Sequence, residues 1–171
     1  MVEEKNWHTH RDAKNTRLAS ASSLLNGKFA KTEDVVEVLN TLIKPGDKVV
    51  LEGDNQKQAS FLSDALTKVD PERVHDLHMI MSSISRPEHL DIFDLGIASK
   101  MDFSFAGPQS TRVSQMIADG TMTVGDIHTY LELFGRLFID LIPNVVLVAA
   151  DKVDREGNLY TGFNTEETPT I

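Results

Sequence analysis

The chain has 171 residues, 40% of them hydrophobic and 25% charged, which suits one globular α/β domain with a real core. The absence of cysteine excludes disulfides, thiolate metal sites and cysteine nucleophiles together. Net charge is −9 but uneven: residues 1–31 carry Lys5, Arg11, Lys14, Arg17, Lys28 and Lys31 against three acids, so the remainder holds −12 and should repel nucleic acid. No apolar run approaches the roughly 20 residues of a membrane helix, and the N-terminal stretch is polar, so a cytoplasmic protein with no membrane contact is expected.

Residues 1–31 lack a sustained period and read as a polar arm with a short helix near Arg17 to Leu25, and the domain proper is expected over 32–171. Val35, Val38, Leu39 and Leu42 fall on one helical face, with Thr32 placed to cap the start and Pro45-Gly46-Asp47 to end it. A strand follows at Lys48 to Leu51. After a polar break, Phe61, Leu62, Ala65, Leu66 and Val69 share a face, so a second helix runs from about Gln56 to Val69.

Val74 to Met81 reads as the next strand, and Pro87 sits where a first helical turn tolerates proline, ahead of Leu90, Phe93 and Ile97. Met101 to Phe105 is a short strand; Gly107-Pro108 opens a helix that stops at Gly120. Ile127 to Ile139, with Tyr130, Leu131, Phe134, Leu137 and Phe138, reads as another packed helix, and Val145 to Ala150 as the most apolar strand. Such alternation predicts a mostly parallel sheet with helices on both faces, whose ligands sit beyond the carboxyl ends of the strands. The chain stops at Ile171 behind a turn and a loop, which reads as an interrupted chain.

The polar break "EGDNQKQ" lies at one of those strand ends. Asp54 or Asn55 can cap the next helix, whose free N–H groups favour an anion or a developing oxyanion, and Gly53 lets a ligand approach the backbone. Plain capping with solvation is the alternative, and the spacing matches neither phosphate-loop nor dinucleotide patterns. "FSFAGPQS" repeats the geometry with Gly107, Pro108 and Gln109, or is a simple turn before a proline-started helix.

Six histidines invite a metal reading, and none is adopted. His75 and His78 are an odd number apart within the expected strand and so point to opposite faces, and His8 and His10 lie in the arm. His128 stands between an expected strand and a helix; it is either a satisfied structural histidine or a proton-transfer group. Asp154 to Gly157 turns the chain back through Asn158, Leu159 and Tyr160 as a hairpin, and no nucleophile elbow is present.

Six ordered stretches, "LEGDNQKQASFL", "RVHDLHMIMSS", "PEHLDIFDLGIAS", "DFSFAGPQS", "IHTYLELFGRLFIDLIPNVVLVAADKVDREGNLYTG" and "NTEETP", together resemble the first half of the α subunit of bacterial malonate decarboxylase, from about Thr32 to Ile171. That family is related to citrate lyase α subunits and, more distantly, to CoA transferases. The resemblance implies a CoA-transferase-like fold and exchange of a carrier protein's acetyl thioester for malonate, giving malonyl carrier protein and acetate. It implies no tightly bound cofactor, a CoA-derived prosthetic group on the carrier as the substrate arm, and partners in the carrier protein and the other decarboxylase subunits, in an oligomer.

In the distant CoA transferases a glycine-rich loop follows the first strand and helps build the oxyanion site. The place that corresponds here is Glu52-Gly53-Asp54-Asn55-Gln56, so Gly53, Asn55 and Gln56 are the leading catalytic candidates and Asp54 a binding one. Gly107, Pro108 and Gln109 come next as carrier- or substrate-binding residues, then His128, Asn158 and Asn164. Family members have two similar halves with the active site between them, so this chain is expected to supply one wall and to have no turnover alone. The competing expectation is a non-catalytic α/β module that binds a carrier protein, a CoA-like ligand or a partner subunit.

Overall fold

A computed structural model describes residues 7–53 and 59–162. The chain opens with helix α1 (Trp7–Ser20), then a 3-10 turn and a small hairpin of β1 (Leu25–Asn26) and β2 (Phe29–Ala30). The stretch expected to be an arm with a short helix near Arg17 to Leu25 is therefore helical earlier and for longer. Cations tie it down: Arg17 lies against Asp47, donating from NH2 at 2.8 Å, and also donates to the Leu42 carbonyl at 2.9 Å, and Lys28 donates to the Glu156 carbonyl at 2.7 Å. Thr32 starts a 3-10 turn and makes no side-chain cap to α2 (Val35–Leu42).

The centre is a five-stranded, wholly parallel sheet. Strand β3 (Lys48–Leu51) leads to α3 (Ser60–Leu66) and β4 (Leu77–Ser83); a 3-10 turn and α4 (Asp91–Asp94) lead to β5 (Ala98–Phe105). Another 3-10 turn at Gly107–Gln109 opens α5 (Ser110–Ala118), followed by β6 (Thr123–Ile127), α6 (Tyr130–Ile139) and β7 (Val145–Leu147). A terminal hairpin pairs β8 (Lys152–Val153) with β9 (Leu159–Tyr160), as the turn at Asp154 to Gly157 suggested.

The expected α/β class with helices on both faces is what the structure has. Boundaries differ: β4 starts three residues late because the chain bends at Asp76, at φ 55°, and α3 ends at Leu66 rather than Val69, while the expected start at Gln56 falls outside the described residues. One strand, β6, had no assigned limits; it is an edge strand with mostly exposed residues and so lacks an apolar signature.

Spatial order is β6-β5-β4-β3-β7. From β3 the chain steps outward to β6 and then returns to the far side of β3, so strand order reverses between β3 and β7. In open parallel sheets that switch point is where the crevice forms, outside the carboxyl ends.

The two faces are filled unequally. On one, α2, α3, α4 and α5 cover a large cluster that includes Val49, Leu51, Met79, Met81, Met101 and Phe103. On the other, α6 covers a small cluster of Val50, Ile80, Leu133, Leu137 and Leu141. α6 is capped by Thr129, whose hydroxyl accepts from the Glu132 amide at 3.1 Å. It is not packed all round as expected: Leu133 and Leu137 are buried, but Leu131 is 84% and Phe138 66% exposed, with Tyr130 and Ile139 also open. Phe61, assigned to the buried face of α3, is likewise exposed.

Candidate functional site

The carboxyl ends of β3, β4 and β5 lie side by side, and the turn after each is shaped by its neighbour. Gly53, just past β3, packs so closely on the end of β4 that an added Cβ would collide with the Ser83 carbonyl oxygen and stand 2.5 Å from its nitrogen and 3.0 Å from Ser82 Oγ. No other residue fits there without displacing backbone. The Ile84 amide in turn donates to the Phe105 carbonyl at 2.9 Å, which joins the ends of β4 and β5. Gly107 adopts φ 52° next to the half-exposed Phe105 ring, so the Gly107-Pro108-Gln109 turn sits at the same edge, half-buried to exposed. Gly53 and this turn are thus on one rim. Asp54, Asn55, Gln56 and Asn164 fall outside the described residues.

Glu52 stands at the switch point itself. It is fully buried; its amide donates to the Leu147 carbonyl at 3.0 Å and its Oε2 accepts from the Ala149 amide at 2.7 Å. One carboxylate therefore ties the turn after β3 to the turn after β7. Sequence reasoning passed over Glu52 as a site residue, although an acid directly after an apolar "VVL" strand was the available signal.

His128 is placed elsewhere. Its ring is fully buried and turned back to Asp102, with Nε2 2.7 Å from Asp102 Oδ1, while His78 Nε2 bonds the other carboxylate oxygen. Asp102 pairs in register with Ile80, so this His78–Asp102–His128 cluster crosses the α6 face below the strand ends rather than lining them. Burial pushes the Asp102 carboxyl up, but the hydrogen bonds and charges of His78 and His128 outweigh it and hold the group below the ordinary range. Asn158 braces the terminal hairpin: its amide and side chain both donate to Asp154, at 2.8 Å each, a turn-forming arrangement.

Next to the strand-end rim is a cavity of about 260 Å³ lined by Ser60, Ser63, Thr67, Arg86 and His89 among others. His89 is 1% exposed, and neither ring nitrogen has a hydrogen-bond partner among the described residues. Burial, then the charge of Arg86, pushes its pKa down to about 4. The unfolded chain takes up this proton near pH 6.5 and the native state only near 4. Stability should therefore fall as pH drops through that window, by about 3 kcal/mol in all. Denaturant unfolding across pH 7 to 4 reads this directly, and His89→Leu should flatten that part of the profile.

Among the described residues no helix is long and apolar enough to cross a membrane. Residues 6–171 match the family model described as malonate decarboxylase, alpha subunit, transporter. The chain belongs to the malonate decarboxylase α-subunit family. It is 45% identical over its whole length to the acetyl-S-ACP:malonate ACP transferase of Malonomonas rubra, covering 31% of that protein. Its fold is similar to the malonate decarboxylase α subunit of Acinetobacter baumannii (58% identity, TM-score 0.88, 92% of this chain and 29% of that one). It is also similar to a chain of a Pseudomonas malonate decarboxylase hetero-tetramer solved in complex with malonate (56% identity, TM-score 0.92, 99% and 31%). The chain thus spans about a third of the length of the relatives it matches. The family match begins at residue 6, so it takes in α1, ahead of the resemblance read from Thr32.

Proposed function

We propose that this chain forms one wall of the acyl-exchange site of a malonate decarboxylase α subunit. The reaction exchanges a carrier protein's acetyl thioester for a malonyl one. The acetyl carbon–sulfur bond and one carboxylate carbon–oxygen bond of malonate break, a malonyl carbon–sulfur bond forms, and acetate leaves carrying that malonate oxygen. The observation that carries this reading is 45% identity, sustained along the entire chain, to a relative named for that transfer.

The geometry supports the place. A carboxylate attacking a thioester builds negative charge on the carbonyl oxygen, which fixed donors in a dry crevice stabilise. The chain leaves β3 at the switch point, and Gly53 there is seated against Ser82 and Ser83. In this reading Gly53, Asn55 and Gln56 shape the thioester site and Asp54, Gly107, Pro108 and Gln109 line the approach of the CoA-derived arm. Glu52 is a positioning residue that fixes the β7 turn against that loop. The exposed apolar stripe of α6, Leu131, Phe138 and Ile139, is the surface we assign to the rest of the subunit or to partner subunits, in a cytoplasmic complex.

The test is a chimera in which this chain replaces the matching stretch of the Acinetobacter baumannii subunit, assayed for exchange of labelled malonate into acetyl carrier protein. Asn55→Ala, Gln56→Ala and Glu52→Ala should each lower the rate, on the order of tenfold or more, with an unchanged unfolding midpoint for the two loop variants. Unaltered rates in all three would remove the loop from the mechanism.

A further inference from the structure

Asp102 engages only one nitrogen of His128. The other, Nδ1, is buried and has no hydrogen-bond partner among the described residues, although the ring is 0% exposed. It points toward the junction of β6 and α6, where Glu132 Oε1 lies 3.9 Å away and Asp126 completes a group whose ligand atoms all lie within 4.8 Å of one another. Ligand atoms about 2.0–2.2 Å from one tetrahedral ion stand about 3.3–3.6 Å apart, so the two half-exposed carboxylates need only a small side-chain rotation to close on it. The local sequence explains the convergence: Asp126 is the penultimate residue of β6, His128 follows the strand, and Glu132 is in the first turn of α6.

From this we propose that Asp126, His128 Nδ1 and Glu132 bind a divalent transition-metal ion of the Zn²⁺ class, with water in the remaining position. One imidazole and two carboxylates suit such an ion better than Mg²⁺ or Ca²⁺, which prefer all-oxygen shells. The histidine is already oriented as a ligand. Asp102 accepts from its Nε2–H, which fixes the tautomer with a lone pair on Nδ1 and raises its basicity, as carboxylates behind metal-bound histidines do.

Two features oppose a cation. The amino end of α6 carries positive dipole, and Arg136 NH1 is 3.5 Å from Asp126 Oδ2. Arg136, however, is held by Asp140 at 2.5 and 2.6 Å, so the long contact to Asp126 is the one that yields. Asp126 Oδ1 also accepts from the Ile127 amide at 2.9 Å, which orients the carboxylate. The site stands at the carboxyl end of the edge strand β6, and none of its residues has a part in the acyl-exchange reading.

The experiment is a titration of the chelator-treated chain with Zn²⁺ by calorimetry and with Co²⁺ by visible absorption, in a His8→Ala, His10→Ala background that removes adventitious N-terminal ligands. One equivalent should bind, with Kd on the order of micromolar. Asp126→Asn and Glu132→Gln should each weaken it by about tenfold or more. Both carboxylates are about half exposed, so these variants should fold, and unfolding midpoints measured without metal check that. Absence of saturable binding at about 1 mM metal, or equal affinity in both variants and the parent chain, overturns the proposal.

Discussion

Gly53→Val in the chimeric subunit should lose acyl exchange by on the order of a hundredfold, because displacement of a positioning loop by about 1 Å is enough for such a loss. A Cβ at Gly53 would collide with both the carbonyl oxygen and the nitrogen of Ser83, and backbone in the middle of a parallel sheet cannot give way as a flexible side chain can. The turn must move instead, and with it the residues that follow. The same substitution in the chain alone should cost about 1–3 kcal/mol of stability, the usual cost of forcing extra atoms into a packed site. Gly53→Ala should act in the same direction, since the first added carbon makes the collision. Steady-state exchange and denaturant unfolding measure the two effects separately; a Gly53→Val enzyme of full rate would mean the loop has no part in the chemistry.

Asp102→Ala should destabilise the α6 face by about 2–6 kcal/mol, at about 1–3 kcal/mol for each of the two ring nitrogens left without its partner. Its carboxylate is 2% exposed and holds two ring nitrogens, those of His78 and of a wholly buried His128. A total stability of about 5–15 kcal/mol leaves little margin for such a loss. The site offers an internal control. A Cβ on Gly125 would collide with Asp102 Oδ2 and, at 2.8 Å, with the flexible end of Lys100, so Gly125→Ala should destabilise the parent chain and cost less when Asp102 is already alanine and only Lys100 must swing aside. A double-mutant cycle from urea unfolding reads that coupling, and strictly additive effects would contradict the packing described.

The parallel α/β class was legible because strands such as the buried Val49 to Leu51 and the edge strand Val145 to Leu147, of which only Leu147 is buried, are short apolar runs between helical periods. The location of the strand-end loop followed from the same pattern, since a glycine amid surplus polar groups directly after a buried strand is a local signal. What depended on distant partners was not legible. Asp102, His78 and His128 come from or follow three different strands and meet only when β4, β5 and β6 pair. Glu52 gains its meaning from Ala149, almost a hundred residues on, at a strand-order reversal that no periodicity reveals.

The errors have the same origin. Helix α1 is polar on nearly every side and is held through Arg17 and Asp47, an attachment without hydrophobic periodicity. The apolar residues of α6 look like core in the sequence because periodicity marks a face as apolar without saying what covers it. Among the described residues Leu131 and Phe138 remain open, whereas Leu133 and Leu137 reach the sheet.

The most direct test of the proposed function compares labelled-malonate exchange on acetyl carrier protein by the 171-residue chain alone and by its chimera with the rest of the Acinetobacter baumannii subunit. No turnover is expected from the chain alone, and exchange by the chimera should be abolished by Gly53→Val. Turnover by the chain alone, or a folded chimera that binds carrier protein without exchanging its acyl group, would contradict it.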